Sequence, residues 1–205
     1  METILILLTV AAVWQLLRVR YQRAHIASLG RHLTGLQLER HMETLTQGYT
    51  RAIQGQDETR QLQVLETFNM TERAVAAQIQ SLANAMQKES AQATSMGILP
   101  FCVPYAERFL PATQRDFRKL LHIHAAGLRH AVDNEDRRDA KNRAYRLSAE
   151  LYLLQHSCHW FCKSRAVANA RLLVRHQVHH QKVLASVSET TRSAYARWLQ
   201  ATDER

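Results

Sequence analysis

The segment LETFNMTERAVAAQIQSLANAM, residues 65–86, sets Leu65, Phe68, Glu72, Val75, Ile79, Leu82 and Met86 at steps of three and four. Side chains so spaced line one face of an α-helix. Only Glu72 interrupts what is otherwise an apolar, heptad-like seam. Three heptads suffice for helix pairing, inside a bundle or with a second copy of the chain. The periodicity predicts one helix from near Glu58 to Ser95.

The same reading extends both ways. Upstream, Leu38, Met42, Leu45, Tyr49 and Ile53 form a face, and Gly55-Gln-Asp57 offers a turn and an acidic helix start. Downstream, Thr113–Asp116 reads as a capping-box variant opening a helix with the stripe Phe117, Leu121, His124, Leu128 and Val132. Asp133–Asp136 is expected to end that helix and cap the next. Leu147, Leu151, Leu154, Cys158, Phe161, Leu172, His176, Val183 and Val187 then track one face of a long run. Ser186-Val-Ser-Glu189 reads as a second capping box, opening a last helix with Tyr195, Trp198 and Leu199.

Breakers are scarce: the 205 residues hold six Gly and three Pro, and residues 128–205 hold neither. A β-rich fold needs turn residues about every 8–12 positions. The fold class is therefore all-α.

Thr3 to Leu17 (TILILLTVAAVWQLL) carries no charge and is followed by Arg18, Arg20 and Arg23. A full membrane span needs about 20 residues, with roughly 17 as a lower limit. Met1, Val19 and Tyr21 lengthen the run, and the arginines can snorkel. Trp14 and Tyr21 suit the interfacial belt. The segment is read as a membrane helix contacting lipid, with a buried soluble helix as the alternative. Glu2 and the lack of an N-terminal positive charge argue against a cleaved signal. The arginines should hold the body in the cytoplasm. Three cysteines, an odd number, fit free thiols there.

The expected organisation is a membrane anchor at 1–23, a helical arm at 24–96, an apolar proline-containing crossover at 97–111, and a basic helical bundle at 112–205. Met96–Pro111 (MGILPFCVPYAERFLP) is expected to be a buried crossover, because proline excludes a regular helix.

The net charge of +9 is concentrated late in the chain: residues 111–205 hold seventeen basic and nine acidic groups. Between Glu150 and Glu189 no acid occurs, while Lys163, Arg165, Arg171, Arg175 and Lys182 do. Such a strip suits anionic lipid, an acidic protein or nucleic acid, although no nucleic-acid reading motif accompanies it.

Eleven histidines are many for this length. Cys158 and Cys162 are four apart, as are His176 and His180, and such pairs can share a zinc ion. Cys158 to His176 spans roughly 27 Å of unbroken helix at 1.5 Å per residue. A shared site therefore needs a turn near Ser164–Asn169 or a ligand from another helix. His124, on its helix's apolar stripe, is the expected extra ligand. The other reading is core histidines and buried thiols.

The order His122 or His124, Cys158, His176, His180 resembles the chemoreceptor zinc-binding domain over the last ninety or so residues. That resemblance implies a small cytoplasmic helical bundle with a His3Cys zinc site. The Gly-Lys-Trp expected after the cysteine reads Phe161-Cys162-Lys163 here, and the interval from cysteine to histidine pair is shorter.

No Gly-rich phosphate loop, nucleophile elbow, haem-attachment sequence or di-iron signature occurs. The expectation is a non-enzymatic, membrane-anchored assembly or regulatory protein acting through helix contacts, as a homo-oligomer or in a larger assembly. A zinc-dependent sensor is the first alternative, and a nucleic-acid-binding protein the second.

Overall fold

A computed structural model describes residues 1–201 apart from Gln56. The described residues form nine α-helices and one two-stranded ribbon. In order they are α1 (Glu2–Leu33), α2 (Leu38–Gln54), α3 (Glu58–Glu66), α4 (Asn69–Met86), β1 (Ser95–Gly97), β2 (Gln114–Asp116), α5 (Phe117–Val132), α6 (Ala140–Cys162), α7 (Arg165–His176), α8 (His180–Ser186) and α9 (Glu189–Gln200). The all-α reading holds, with a small ribbon added.

The 65–86 seam lies inside the molecule. Leu65, Val75, Ile79, Leu82 and Met86 are buried in a hydrophobic cluster that also takes in Leu45 of α2, Leu121 of α5, Leu151 of α6 and Trp198 of α9. The face is thus covered by the chain's own helices rather than offered to a second copy. The expected arm and bundle share this core.

The predicted single helix from Glu58 to Ser95 breaks after Glu66 and ends at Met86. Phe68 sits at the break, its ring in edge contact with Tyr49 at 5.5 Å. A Cβ on Gly48 would come within 2.2 Å of that ring, so only glycine lets Phe68 close on α2.

Short polar side chains set the helix starts. Asp57 accepts from the Thr59 and Arg60 amides, as its position in the sequence suggests. Elsewhere the expected caps shift: Asp116 alone opens α5, Asp139 rather than Asp133–Asp136 opens α6, and Ser188 rather than Ser186 opens α9. The long run after Leu147 is also interrupted. Lys163 leaves the helical region and Ser164 accepts from the Val167 amide at 3.3 Å, starting α7 without glycine or proline.

The ribbon pairs Met96 with Arg115. Trp160 of α6 donates to the Gly97 carbonyl at 2.8 Å, and Trp198 of α9 donates to the Asp116 carbonyl at 2.9 Å. Two indoles thus fix the ends of the apolar connection to the bundle.

Candidate functional site

α1 is one uninterrupted helix with two environments. Its large apolar side chains from Ile4 to Leu17 are between 42% and 71% exposed, whereas Gln22, His25, Ser28 and Leu29 are buried against the body. Gln22 donates to the Lys163 carbonyl at 3.2 Å, and His25 Nδ1 donates to the Phe161 carbonyl at 2.9 Å. The His25 ring stacks on Phe161, which in turn stacks on Phe117. Of the expected membrane-contact residues, Trp14, Arg20 and Arg23 are exposed, while Arg18 and Tyr21 are half-buried at the joint with the body. The helix is long and apolar enough to cross a membrane.

Of the expected zinc ligands, Cys158 and His176 line one cleft, while His124 and His180 lie outside it. The turn they need does exist at Ser164, yet each imidazole has its own neighbour. His124 hydrogen-bonds Ser157 Oγ at 2.9 Å. His176 donates to Gln155 Oε1 at 2.7 Å and stacks on Tyr152. His180 lies 3.3 Å from the Tyr195 hydroxyl, with its ring 4.3 Å from that of His156. Among the described residues no three of His, Cys, Asp and Glu are grouped to hold an ion.

The electrostatics of these groups follow from burial. Burial, then the nearby His156, pulls His124 down to about 3. His156 also falls to about 3, through burial and then His180; His180 falls to about 4, through burial and then Arg165. Burial pushes the Cys158 thiol upward, and Cys162 up to about 11. At Cys162 the nearby Lys163 and Arg171 do not overcome desolvation. The Ser157–His124 pair has nucleophile–base spacing, but Ser157 is fully buried and His124 Nδ1 has no hydrogen-bond partner among the described residues.

A cleft of about 750 Å³ opens between α1, α2, α6 and α7. Leu33, Leu38, Met42, Leu154, Cys158 and Cys162 give it an apolar lining, with Glu43 and Arg175 among its charged residues. The size lies in the usual range of small-molecule or side-chain pockets. In the sequence, Leu38 and Met42 had marked one wall and Cys158 another, but nothing showed that they face each other.

The basic strip is divided. Arg171, Arg175 and Lys182 are exposed. Lys163 is engaged with Gln22, and Arg165 lies over the Trp160 ring at 5.2 Å.

Two buried carboxylates escaped the sequence reading. Glu72, flagged only as a seam interruption, accepts from Tyr49 Oη at 2.5 Å and pairs with Arg143 at 3.1 Å. Glu150 accepts from the Ser188 amide at 3.0 Å and Thr191 Oγ1 at 2.9 Å. A Cβ on Gly127 would lie 2.1 Å from Thr191 Oγ1 and 2.8 Å from Glu150 Oε2, so the glycine makes room for this contact.

No known protein family, curated protein or solved structure matches the chain. The resemblance to the chemoreceptor zinc-binding domain therefore rests on residue order alone.

Proposed function

We propose that this chain is a non-enzymatic, membrane-anchored helical protein that acts through helix–helix contacts at the membrane surface. The observation that carries the reading is the contrast along α1: apolar and uncovered from Ile4 to Leu17, then buried in the body from Gln22 to Leu29. Burying a Leu or Val side chain is worth about 1.5–3 kcal/mol. Ten large apolar side chains left more than half exposed on average would forgo on the order of 10 kcal/mol, comparable to the whole stability of a typical domain. A bilayer removes that cost. Arg18, Arg20 and Arg23 favour a cytoplasmic body.

The α1–α2–α6–α7 cleft supports a role in contact with a partner helix, since its apolar lining uses helical spacing on Leu38 and Met42. The zinc-sensor reading has less support, because only Cys158 and His176 of the four share a cleft, and each of the three imidazoles has its own hydrogen-bonding neighbour. Nucleic-acid binding rests on Arg171, Arg175 and Lys182, without a reading element.

The test is truncation. A chain starting at Arg18 keeps Gln22, His25 and Leu29; it should be soluble without detergent and retain its helical circular dichroism. A start near Ala24 would remove Gln22 and its bond to Lys163. Aggregation of the Arg18 chain with loss of helix would show that Ile4–Leu17 belongs to a protein core instead.

A further inference from the structure

The connection between β1 and β2 is not the buried crossover that its apolar sequence suggests. Phe101 is 61% exposed, Phe109 80% and Leu110 48%, while Ala106 and Glu107 beside them are buried. Three large apolar side chains in water carry a hydration cost, and all three fall within one ten-residue stretch of the loop.

Their position gives that grouping its meaning. The loop folds against α1 where the helix leaves the body. Tyr105 takes a left-handed backbone at φ 57°, uncommon for a bulky residue, and its ring meets that of Tyr21 at 5.4 Å. Cys102 lies beside Gln22 and Arg18. The loop is tied to the body by the Pro100 carbonyl, which accepts from the Ala166 amide at 2.9 Å.

The length of the anchor supplies a second argument. The uncharged run from Thr3 to Leu17 covers only about 22 Å at 1.5 Å per residue, against roughly 30 Å of hydrocarbon. A spanning α1 must therefore draw Arg18–Tyr21 into the headgroup region, or thin the bilayer around itself. Either way the loop beside Tyr21 is carried to the lipid surface. Charge agrees with this. Glu107, the loop's one acid, is turned inward, while Arg108 is exposed and lies 5.7 Å over the Tyr105 ring. Arg20 and Arg23 add exposed positive charge on α1.

We infer that the Phe101–Leu110 loop is a second membrane contact, inserting Phe101, Phe109 and Leu110 into the headgroup boundary of an anionic bilayer around the exit of α1. The inference rests on the membrane reading of α1. Aromatic side chains suit that depth, and paired apolar and basic contacts bind more firmly than either alone. Together with the buried joint at His25, the loop would fix the orientation of the body on the membrane rather than leave it on a free tether.

The test uses the full chain in vesicles of phosphatidylcholine and phosphatidylglycerol, with part of the phosphatidylcholine brominated high on its acyl chains. Emission from a protein carrying Trp14→Phe and Phe109→Trp is compared with Trp14→Phe alone, the buried Trp160 and Trp198 being common to both. The expected result is an added blue-shifted emission that loses most of its intensity to the bromolipid. Added emission at the wavelength of water-exposed tryptophan, unquenched, overturns the inference. Blue-shifted but unquenched emission also overturns it, because the position is then covered by protein such as a second copy. Trp14 in the unaltered chain reports the anchor separately. Quenching of Trp14 without quenching at Phe109→Trp rejects the loop contact alone, and quenching of neither rejects the anchor as well.

Discussion

His25 of α1 donates from Nδ1 to the backbone carbonyl of Phe161 at 2.9 Å and lies parallel to the Phe161 ring, with centroids 4.4 Å apart. This contact turns an apolar helix into part of the body. The carbonyl belongs to the last turn of α6, where backbone acceptors lack helical partners. Replacing His25 by Ala removes the donor and the stack together. In the chain starting at Arg18, His25→Ala should cost about 2–3 kcal/mol in urea unfolding. A change below about 0.5 kcal/mol, the usual range at surface positions, would mean that α1 is not docked there.

Arg143 pairs with the Glu72 carboxylate at 3.1 Å, and the same guanidinium reaches Asn69 Oδ1 at 2.7 Å. Arg143→Leu should destabilise the body by about 3–5 kcal/mol, the usual effect of leaving one partner of a buried pair alone. Adding Glu72→Gln should recover most of the loss, since a neutral amide needs no counter-charge. If the single variant unfolds like the parent, the pair is exposed in solution and the interior of the seam is misplaced.

Acid should weaken the fold through its buried histidines. His124 titrates at about 3 when folded and near 6.5 when unfolded, so the unfolded chain binds the extra proton between those values. Its contribution is fully present above about pH 6.5 and is lost as the pH falls toward 3. The slope is about 1.4 kcal/mol per pH unit for one group. Glu72 and Glu150, raised by burial, act in the opposite sense, so the parent's own profile mixes the two. The difference between parent and His124→Gln isolates the histidine. It should shrink by about that slope between pH 6.5 and 5. Parallel stability curves would show that His124 is solvated.

Cys162 should alkylate slowly at neutral pH. Burial holds its thiol up to about 11, so the reactive thiolate should grow about tenfold per pH unit well past 8.5, where an ordinary thiol levels off. Iodoacetamide rates read by peptide mass analysis between pH 7 and 10 decide this. A plateau near pH 9 would place the thiol in open solvent.

What the sequence disclosed follows from the range of the forces involved. The 65–86 seam, the Asp57 cap and the apolar α1 are local patterns, and periodicity or composition exposes them directly. The break at Ser164 was hidden because a serine cap needs neither glycine nor proline. The only local hint was a hydroxyl three residues before the Val167 amide it receives. Glu72 looked like a flaw because its partners Tyr49 and Arg143 lie far off in the chain. His124, His176 and His180 had metal-like order, yet order along the chain says nothing about Ser157, Gln155 or Tyr195, each of which engages the Nε2 of one of them. The loop misled for the opposite reason: its apolar composition implied burial, while its fold leaves Phe101 and Phe109 outside.

The most direct measurement of the central claim is alkaline carbonate extraction of membranes containing the full chain, beside the chain starting at Arg18. An anchor made of Ile4–Leu17 predicts that the full chain stays in the pellet and is released only by detergent, while the truncated chain is soluble. Release of the full chain by carbonate, or its recovery as a soluble protein before any extraction, would contradict the account.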